Sequence, residues 1–129
     1  MINNIRMRVP GKITRNEEIT TAYFAFLDQH LADLLAEKDI EMLEINQIAD
    51  RLFISPKHLS NTIKLARGHH PCYFYDQKIL DEARKLMLET TLSIAEIARK
   101  LTYNPSNFSK FFKKYSGLTP GQFRSHHKI

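Results

Sequence analysis

The sequence has few of the residues that support redox, membrane or phosphate-loop chemistry. Cys72 is the only cysteine among 129 residues, so no internal disulfide can form and a reducing compartment is expected. No apolar run approaches the ~20 residues of a membrane span, and no signal-peptide pattern opens the chain. The four glycines form no glycine-rich phosphate loop. These absences favour a cytoplasmic protein that has no membrane partner and is not an enzyme.

Metal binding is a weak interpretation, although the sequence contains six histidines. Four of them form the adjacent pairs His69-His70 and His126-His127. Adjacent histidines point to different sides of a helix, and Cys72 lies at a predicted junction between loop and helix. The pattern favours turn residues, a tail or weak phosphate contacts. We therefore predict no metal and no other cofactor.

Acidic residues are missing from two long stretches of a chain that is basic overall. The formal net charge is +5 and the isoelectric point is about 9.4, a balance that favours a polyanionic partner. No Asp or Glu occurs between Arg51 and Tyr75, and none follows Glu96. The acids lie mainly at 17–50 and 76–96. The charge pattern therefore indicates two basic segments, each preceded by an acidic one.

The sequence also repeats itself. After a shift of 49 positions, the stretch 43–74 aligns with the stretch 92–123 without a gap. Chance would give roughly two identical pairs over that length. A solenoid needs about three or more units, so two copies indicate a duplicated small module instead. Eleven pairs are identical: Leu43/Leu92, Ile45/Ile94, Ile48/Ile97, Ala49/Ala98, Leu52/Leu101, Pro56/Pro105, Ser60/Ser109, Lys64/Lys113, Gly68/Gly117, Pro71/Pro120 and Phe74/Phe123.

Apolar spacing predicts an all-α fold of about seven helices. A first helix is expected over 17–37, and a long helix of roughly 25–28 Å over 71–89 joins the two copies. In each copy a short helix and a tight turn precede a second helix, at about 55–67 in the first copy and about 104–116 in the second. A last short helix follows the second copy. No strand pattern is present.

These elements divide the chain into four predicted parts. Residues 1–16 form a flexible basic arm or an interdomain linker. Residues 17–70 form a first helix-turn-helix subdomain, 71–90 the linker helix, and 91–129 a second helix-turn-helix subdomain. Each subdomain is expected to be a homeodomain-like unit of three helices.

The start of the short helix differs between the two copies. In the second copy, Ser93 and Glu96 have the spacing of a capping box. In the first copy Glu44 stands where Ser93 does, so a poorly capped helix is expected.

The second helix of each copy has one apolar side and one side rich in hydrogen-bond donors. On a helical wheel, the apolar sides are Leu59, Thr62, Ile63 and Ala66, and Phe108, Phe111, Phe112 and Tyr115. We call the polar side of the first copy the first donor face: Lys57, Ser60, Asn61 and Lys64. The second donor face is Ser106, Asn107, Ser109, Lys110, Lys113 and Lys114.

Such faces suit the major groove of DNA. An α-helix fits that groove, where Asn, Ser and Lys reach base edges and Lys also meets phosphates. A preceding helix joined by a short turn is the helix-turn-helix arrangement. The alternative is a basic helical protein-interaction module, without sequence-specific DNA binding, whose donor faces meet water or an acidic protein.

The second copy and its tail, 93–124, contain a distinctive series of residues: Ile97-Ala98, Tyr103, Phe108-Ser109-Lys110, Phe112-Lys113-Lys114, Gly117, Thr119-Pro120 and Phe123-Arg124. Through these elements the stretch closely resembles the signature of the AraC/XylS family of bacterial transcription regulators. The first copy resembles the family's less regular first helix-turn-helix through Ala49, Leu52, Ser55-Pro56-Lys57, Leu59-Ser60 and Gly68.

The resemblance implies two helix-turn-helix subdomains that bind successive major-groove segments of an asymmetric site on double-stranded DNA. RNA polymerase is an implied partner if the protein activates, and an upstream sensor domain would make this chain the C-terminal part of a longer regulator. Phosphate contacts are implied at Lys64, Lys113 and Lys114. Base contacts are implied at Lys57, Ser60, Asn61, Pro105, Ser106, Asn107, Ser109 and Lys110.

The sequence departs from the family pattern in both turns. The family usually has glycine where this chain has Thr102, and Phe53 stands at the matching point of the first copy. A residue other than glycine at this point is expected either to strain the turn or to give it a different shape.

Overall fold

The computed structural model describes residues 14–38 and 41–127. Within these ranges the chain forms seven α-helices and no strand, which confirms the predicted all-α fold. None of these helices combines the length and apolar character needed to cross a membrane. Most of the predicted arm, 1–16, lies outside the described residues. In chain order the helices are α1 (Arg15–Leu35), α2 (Ile45–Arg51), α3 (Pro56–Arg67), α4 (Pro71–Glu89), α5 (Ile94–Lys100), α6 (Pro105–Ser116) and α7 (Pro120–His126).

Helix α1 begins earlier than predicted, at Arg15 rather than Glu17. Thr14 is its N-cap: its Oγ1 accepts from the Glu17 N–H at 3.1 Å, and its own N–H donates to Glu17 Oε1 at 2.9 Å. Glu17 is thus the third helical residue of a capping box, not the first residue of the helix. The apolar pattern starts only at Ile19 and could not locate this beginning.

The two short helices differ less in capping than the sequence suggests. Helix α5 has the predicted capping box, in which Ser93 Oγ accepts from the Glu96 N–H at 3.1 Å and Glu96 Oε1 accepts from the Ser93 N–H at 2.8 Å. At the start of α2, Gln47 Oε1 accepts from the Glu44 N–H at 2.8 Å. Glu44 itself makes no side-chain capping bond, which agrees with the prediction of a poor N-cap, but Gln47 satisfies the N–H of Glu44.

Both turns have the same backbone shape. Phe53 has φ of 60° and Thr102 has φ of 59°, so both lie in the left-handed region. The next residue closes each turn, since the Ile54 N–H donates to Ala49 O at 3.1 Å and the Tyr103 N–H to Ala98 O at 2.8 Å. Both turns therefore keep the left-handed conformation, which side chains with a Cβ rarely adopt and β-branched ones least of all.

We expect Thr102→Gly to raise the free energy of unfolding by about 0.5–1 kcal/mol, because relief of left-handed strain exceeds the added entropy of glycine in the unfolded chain. Thr102 is exposed, so little packing changes. Urea unfolding measures the effect. The control is Thr21→Gly at an exposed position in α1, which should lower stability slightly; equal effects of the two substitutions would exclude strain at Thr102.

One continuous core passes from the first copy to the second. Helix α4 packs against α1 and α3 on one side and against α5 on the other. Its core side chains are Tyr75, Ile79, Leu80, Ala83 and Met87. The long helix is therefore a shared structural element that fixes how the two copies sit relative to each other.

Two polar contacts hold the ends of α4. The buried Tyr23 hydroxyl donates to Pro71 O at 2.6 Å, which ties α1 to the first residue of α4. Arg124 of α7 reaches the other end, where its guanidinium donates to the carbonyl oxygens of Met87 (3.1 Å), Thr90 (3.2 Å) and Leu92 (2.6 Å). Arg124 therefore fastens the last helix to the end of the linker helix.

The helical wheel overestimates burial near the C-terminal ends of α3 and α6. Ala66 and Tyr115 were placed on the apolar sides, yet both are exposed. Both residues lie near the ends of their helices, so angular position alone overstates their burial.

Candidate nucleic-acid interface

Helix α3 begins and ends as its sequence predicts. Ser55 Oγ accepts from the His58 N–H at 3.0 Å, and Pro56 occupies the first helical position. The helix stops at Gly68, whose φ of 82° places it in the left-handed conformation that glycine adopts readily. Leu59 and Ile63 are fully buried and fix which side of the helix faces the core.

The first donor face points away from that core. Lys57, Asn61 and Lys64 are exposed. Ser60 is half-buried, and its Oγ lies 3.2 Å from Nε2 of His70, the residue that caps α4. Three of the four predicted residues are thus open to a ligand, and the fourth is already held by a neighbour.

Helix α6 has the same arrangement of N-cap, first-position proline and C-terminal glycine as α3, but its N-cap accepts two hydrogen bonds instead of one. Asn104 Oδ1 accepts from the N–H groups of Ser106 at 2.9 Å and Asn107 at 3.4 Å, and Pro105 is half-buried at the first helical position. The helix stops at Gly117, with φ of 83°. Phe108 and Phe112 are fully buried. Ser109 is half-buried, and five members of the second donor face are exposed: Ser106, Asn107, Lys110, Lys113 and Lys114.

The lysines of both donor faces form no ion pair within the described part of the chain. None of the ion pairs between described residues involves Lys57, Lys64, Lys110, Lys113 or Lys114. Lys114 lies with its Nζ 5.3 Å from the centre of the Tyr115 ring. These ammonium groups are therefore available to an anionic partner.

An acidic side chain from α4 approaches the end of α6. The Tyr115 hydroxyl donates to Asp76 Oδ2 at 3.4 Å. Burial raises the pKa of Asp76, and the Tyr115 hydrogen bond and the charge of Lys114 act in the opposite direction. Burial also raises the pKa of Tyr103 to about 12. Through its hydrogen bond with Tyr115, Asp76 connects the linker helix to the C-terminal turn of α6. The polar residues near the start of α6 lie at the other end of the helix.

The second donor face includes an open groove of about 430 Å³, lined by Ser109, Lys110, Lys113, Lys114 and Thr119. The structure thus brings two predicted base readers and two predicted phosphate-binding residues to one surface. The side chains of Lys110, Lys113 and Lys114 border this groove and give the surface around it a positive charge.

Two residues beside the donor faces were not among the predicted DNA-contacting residues. Thr119, the N-cap of α7, lines the second groove, and His70, the N-cap of α4, contacts Ser60. The sequence repeat could have identified both residues, because His70 and Thr119 align at the 49-residue shift. The sequence spacing shows only that each cap follows its donor face, and the structure adds that His70 bonds to Ser60 and that Thr119 lines the same groove as Ser109.

Known proteins similar to this chain were found by sequence and by structure. A family model described as a helix-turn-helix domain matches residues 48–126. The transcriptional regulatory protein YesN of Bacillus subtilis is 37% identical over 78 residues, covering 58% of this chain and 21% of that protein. The arabinose operon regulatory protein of Escherichia coli is 26% identical over 98 residues, covering 75% of this chain and 32% of that protein.

A solved structure extends the likeness to nearly the whole chain. The C-terminal domain of AraT, a response regulator from Geobacillus stearothermophilus, superposes with a TM-score of 0.77 at 28% identity. The match covers 90% of this chain and 91% of that domain. The chain therefore corresponds to a whole domain of that protein, but spans less than a third of the length of the two curated relatives above.

Proposed function

The chain belongs to the AraC-type family of helix-turn-helix domains, and we propose that it is the DNA-binding part of a transcription regulator. In this proposal, α3 and α6 enter successive major-groove segments of one asymmetric duplex site. The chain performs no chemical step and needs no cofactor. The named relatives are regulators, and the structural neighbour is a domain of a response regulator.

The proposal rests chiefly on the two donor faces. Most of their residues are exposed, both contain lysines that form no ion pair among the described residues, and both project from helices whose opposite side is buried. A helix supported on its apolar side by a packed core presents its polar side at a fixed angle. That is what a helix reading base edges requires.

The linker helix supports binding to two groove segments at once. Helix α4 has 19 residues, about 28 Å at 1.5 Å per residue. One helical turn of DNA measures about 34 Å, so the length of α4 is of the order that separates successive major-groove segments on one face. The four-part division of the chain into arm, first subdomain, linker helix and second subdomain belongs to this proposal.

Residue roles follow from position on the helices. The base-reading candidates are Lys57, Ser60, Asn61, Ser106, Asn107, Ser109 and Lys110, and the phosphate candidates are Lys64, Lys113 and Lys114. Pro105 cannot donate from its backbone and contributes shape rather than a hydrogen bond. Because Ser and Asn discriminate bases less strongly than Arg, the first copy is expected to specify its half of the site weakly.

Two further partners belong to the proposal for the whole regulator. The chain matches 21% of YesN and 32% of the arabinose operon regulatory protein, which leaves room in those proteins for other domains. An upstream sensor domain would control this DNA-binding part. RNA polymerase would be contacted if the regulator activates transcription.

Titration of the protein with random duplex DNA at two salt concentrations tests the proposal. DNA binding that neutralises several phosphates predicts a steep loss of affinity as salt rises, with a slope of about 0.9 per phosphate. Absence of binding at low salt, or an affinity that barely changes, would instead support the protein-interaction module.

We expect Lys113→Ala to weaken binding to all DNA sequences by a similar factor and to reduce the salt slope by about one. Lys113 is exposed in the groove of α6, where an ammonium group meets phosphate without reading a base. The control is Lys85→Ala, which removes the same charge from an exposed position of α4. An unchanged salt slope in Lys113→Ala, or equal salt slopes in both variants, would contradict a phosphate contact by Lys113.

A further inference from the structure

His70 connects the linker helix to the first donor face. Its Nδ1 accepts from the Cys72 N–H at 3.1 Å and so caps α4. Its Nε2 lies 3.2 Å from Ser60 Oγ on α3. Both ring nitrogens are therefore engaged, one within the helix start and the other with a predicted base-reading residue.

The contact with Cys72 determines where the imidazole carries its hydrogen. A backbone N–H can only donate, so Nδ1 must present a lone pair and the ring must be neutral. The hydrogen of the neutral ring then lies on Nε2, which donates to Ser60 Oγ. Ser60 accepts this bond with one lone pair, and its own hydroxyl hydrogen is left to be donated to another group.

Capping alone does not account for histidine at this position. The preferred N-cap residues are Asn, Asp, Ser and Thr, and histidine is not among them. The second copy uses Thr119 at the matching position, where its Oγ1 accepts from the Gln122 N–H at 3.1 Å. Threonine would cap α4 equally well, but only a longer side chain spans from the cap to Ser60.

The sequence repeat shows that both copies place a helix cap near a serine of the donor face. At the 49-residue shift, Ser60 aligns with Ser109 and His70 with Thr119. Ser109 and Thr119 line the same groove in the second copy. In both copies the cap of the next helix therefore lies beside a serine of the donor face, and in the first copy the cap bonds to that serine.

Building on the DNA-binding function proposed above, we propose that His70 is a positioning residue that fixes Ser60 as a hydrogen-bond donor to a base. The matching groups in the major groove are acceptors: N7 and O6 of guanine, N7 of adenine and O4 of thymine. His70 occupies one of the two lone pairs of Ser60 Oγ and leaves the hydroxyl hydrogen free, so donation to these acceptors is favoured over acceptance from the amino groups of adenine and cytosine. His70 thereby narrows the base preference of the first copy through Ser60.

His70→Asn separates the two roles of the ring. Asparagine is a preferred N-cap, so α4 keeps its start, while the shorter amide loses the contact with Ser60. His70→Thr repeats the test with the cap that the chain itself uses at α7. Circular dichroism and thermal unfolding verify that each variant remains folded like the parent protein.

Selection from a random DNA pool, read by sequencing, measures base preference for the parent, His70→Asn, Ser60→Ala and the double variant. We expect His70→Asn and Ser60→Ala each to lose roughly 3- to 10-fold discrimination between bases at one and the same position of the DNA site. A loss of this size corresponds to one ordinary hydrogen bond. The double variant should lose no more than Ser60→Ala alone, because both changes remove a single interaction.

Three outcomes would overturn the role of His70: parental base preference in a folded His70 variant, uniform weakening on all sequences, or additive losses in the double variant. A parent protein that enriches no sequence would instead refute the proposed DNA-binding function. The parent therefore tests the function, and the variants test the role of His70 within it.

Discussion

Phe112→Ala is expected to lower the free energy of unfolding by about 3–5 kcal/mol, the range for truncating a fully buried phenylalanine. Phe112 lies on the core side of α6 and has no exposed surface. Its ring is 5.4 Å from that of Phe123 in an edge-to-face contact and 6.0 Å from that of Phe108. Alanine would leave a cavity between α6 and α7, and the aromatic contacts would be lost as well.

Urea unfolding followed by circular dichroism measures this loss of stability. The matched control is Phe53→Ala, which removes the same atoms from a side chain that is 92% exposed. The control should change stability by about 0.5 kcal/mol or less, as at other exposed positions. If Phe112→Ala costs no more than Phe53→Ala, the aromatic stripe is not the core that holds the second donor face in place.

Local sequence signals were sufficient for most of the fold. The capping box at Ser93 and the helix-ending glycines Gly68 and Gly117 each depend on residues a few positions apart, so spacing alone reveals them. The apolar sides of α3 and α6 follow from helical periodicity. The turns at Phe53 and Thr102 were singled out because the family usually has glycine at the position of Thr102, and Phe53 is the matching residue of the first copy.

The features of the fold that the sequence did not predict depend on contacts between distant parts of the chain. The bond from Tyr23 to Pro71 joins residues 48 positions apart, and the bonds of Arg124 span 32–37 positions. The approach of His70 to Ser60 spans only 10 positions but depends on how the turn at Gly68 folds back. No periodicity or motif spacing encodes such distances, so the sequence could locate the donor faces but not the residues that orient them.

The same distinction explains why the sequence could not assign a role to Arg124. It was recognised only as part of a family signature, next to Phe123. In the structure its guanidinium donates to three carbonyl oxygens, at 3.1 Å to Met87, 3.2 Å to Thr90 and 2.6 Å to Leu92. These carbonyls lie at and just beyond the end of α4, where the helix dipole favours a positive charge. Arg124 therefore stabilises the junction between α7 and the C-terminal end of α4.

Arg124→Ala is expected to lower the free energy of unfolding by about 2–4 kcal/mol, because charged hydrogen bonds contribute roughly 1.5–3 kcal/mol each and Arg124 is only half-buried. Arg124→Lys should recover less than half of this loss, because an ammonium group cannot reach three divergent carbonyls as a planar guanidinium does. Urea unfolding of the two variants measures both effects.

The control is Arg99→Ala, which removes an exposed arginine from α5 and should change stability by about 0.5 kcal/mol or less. Full recovery by lysine would mean that charge at the end of α4, rather than the three-carbonyl geometry, stabilises the junction. A cost in Arg124→Ala no larger than in the control would mean that the junction does not depend on Arg124. The predicted order is therefore Arg99→Ala, then Arg124→Lys, then Arg124→Ala, from least to most destabilised.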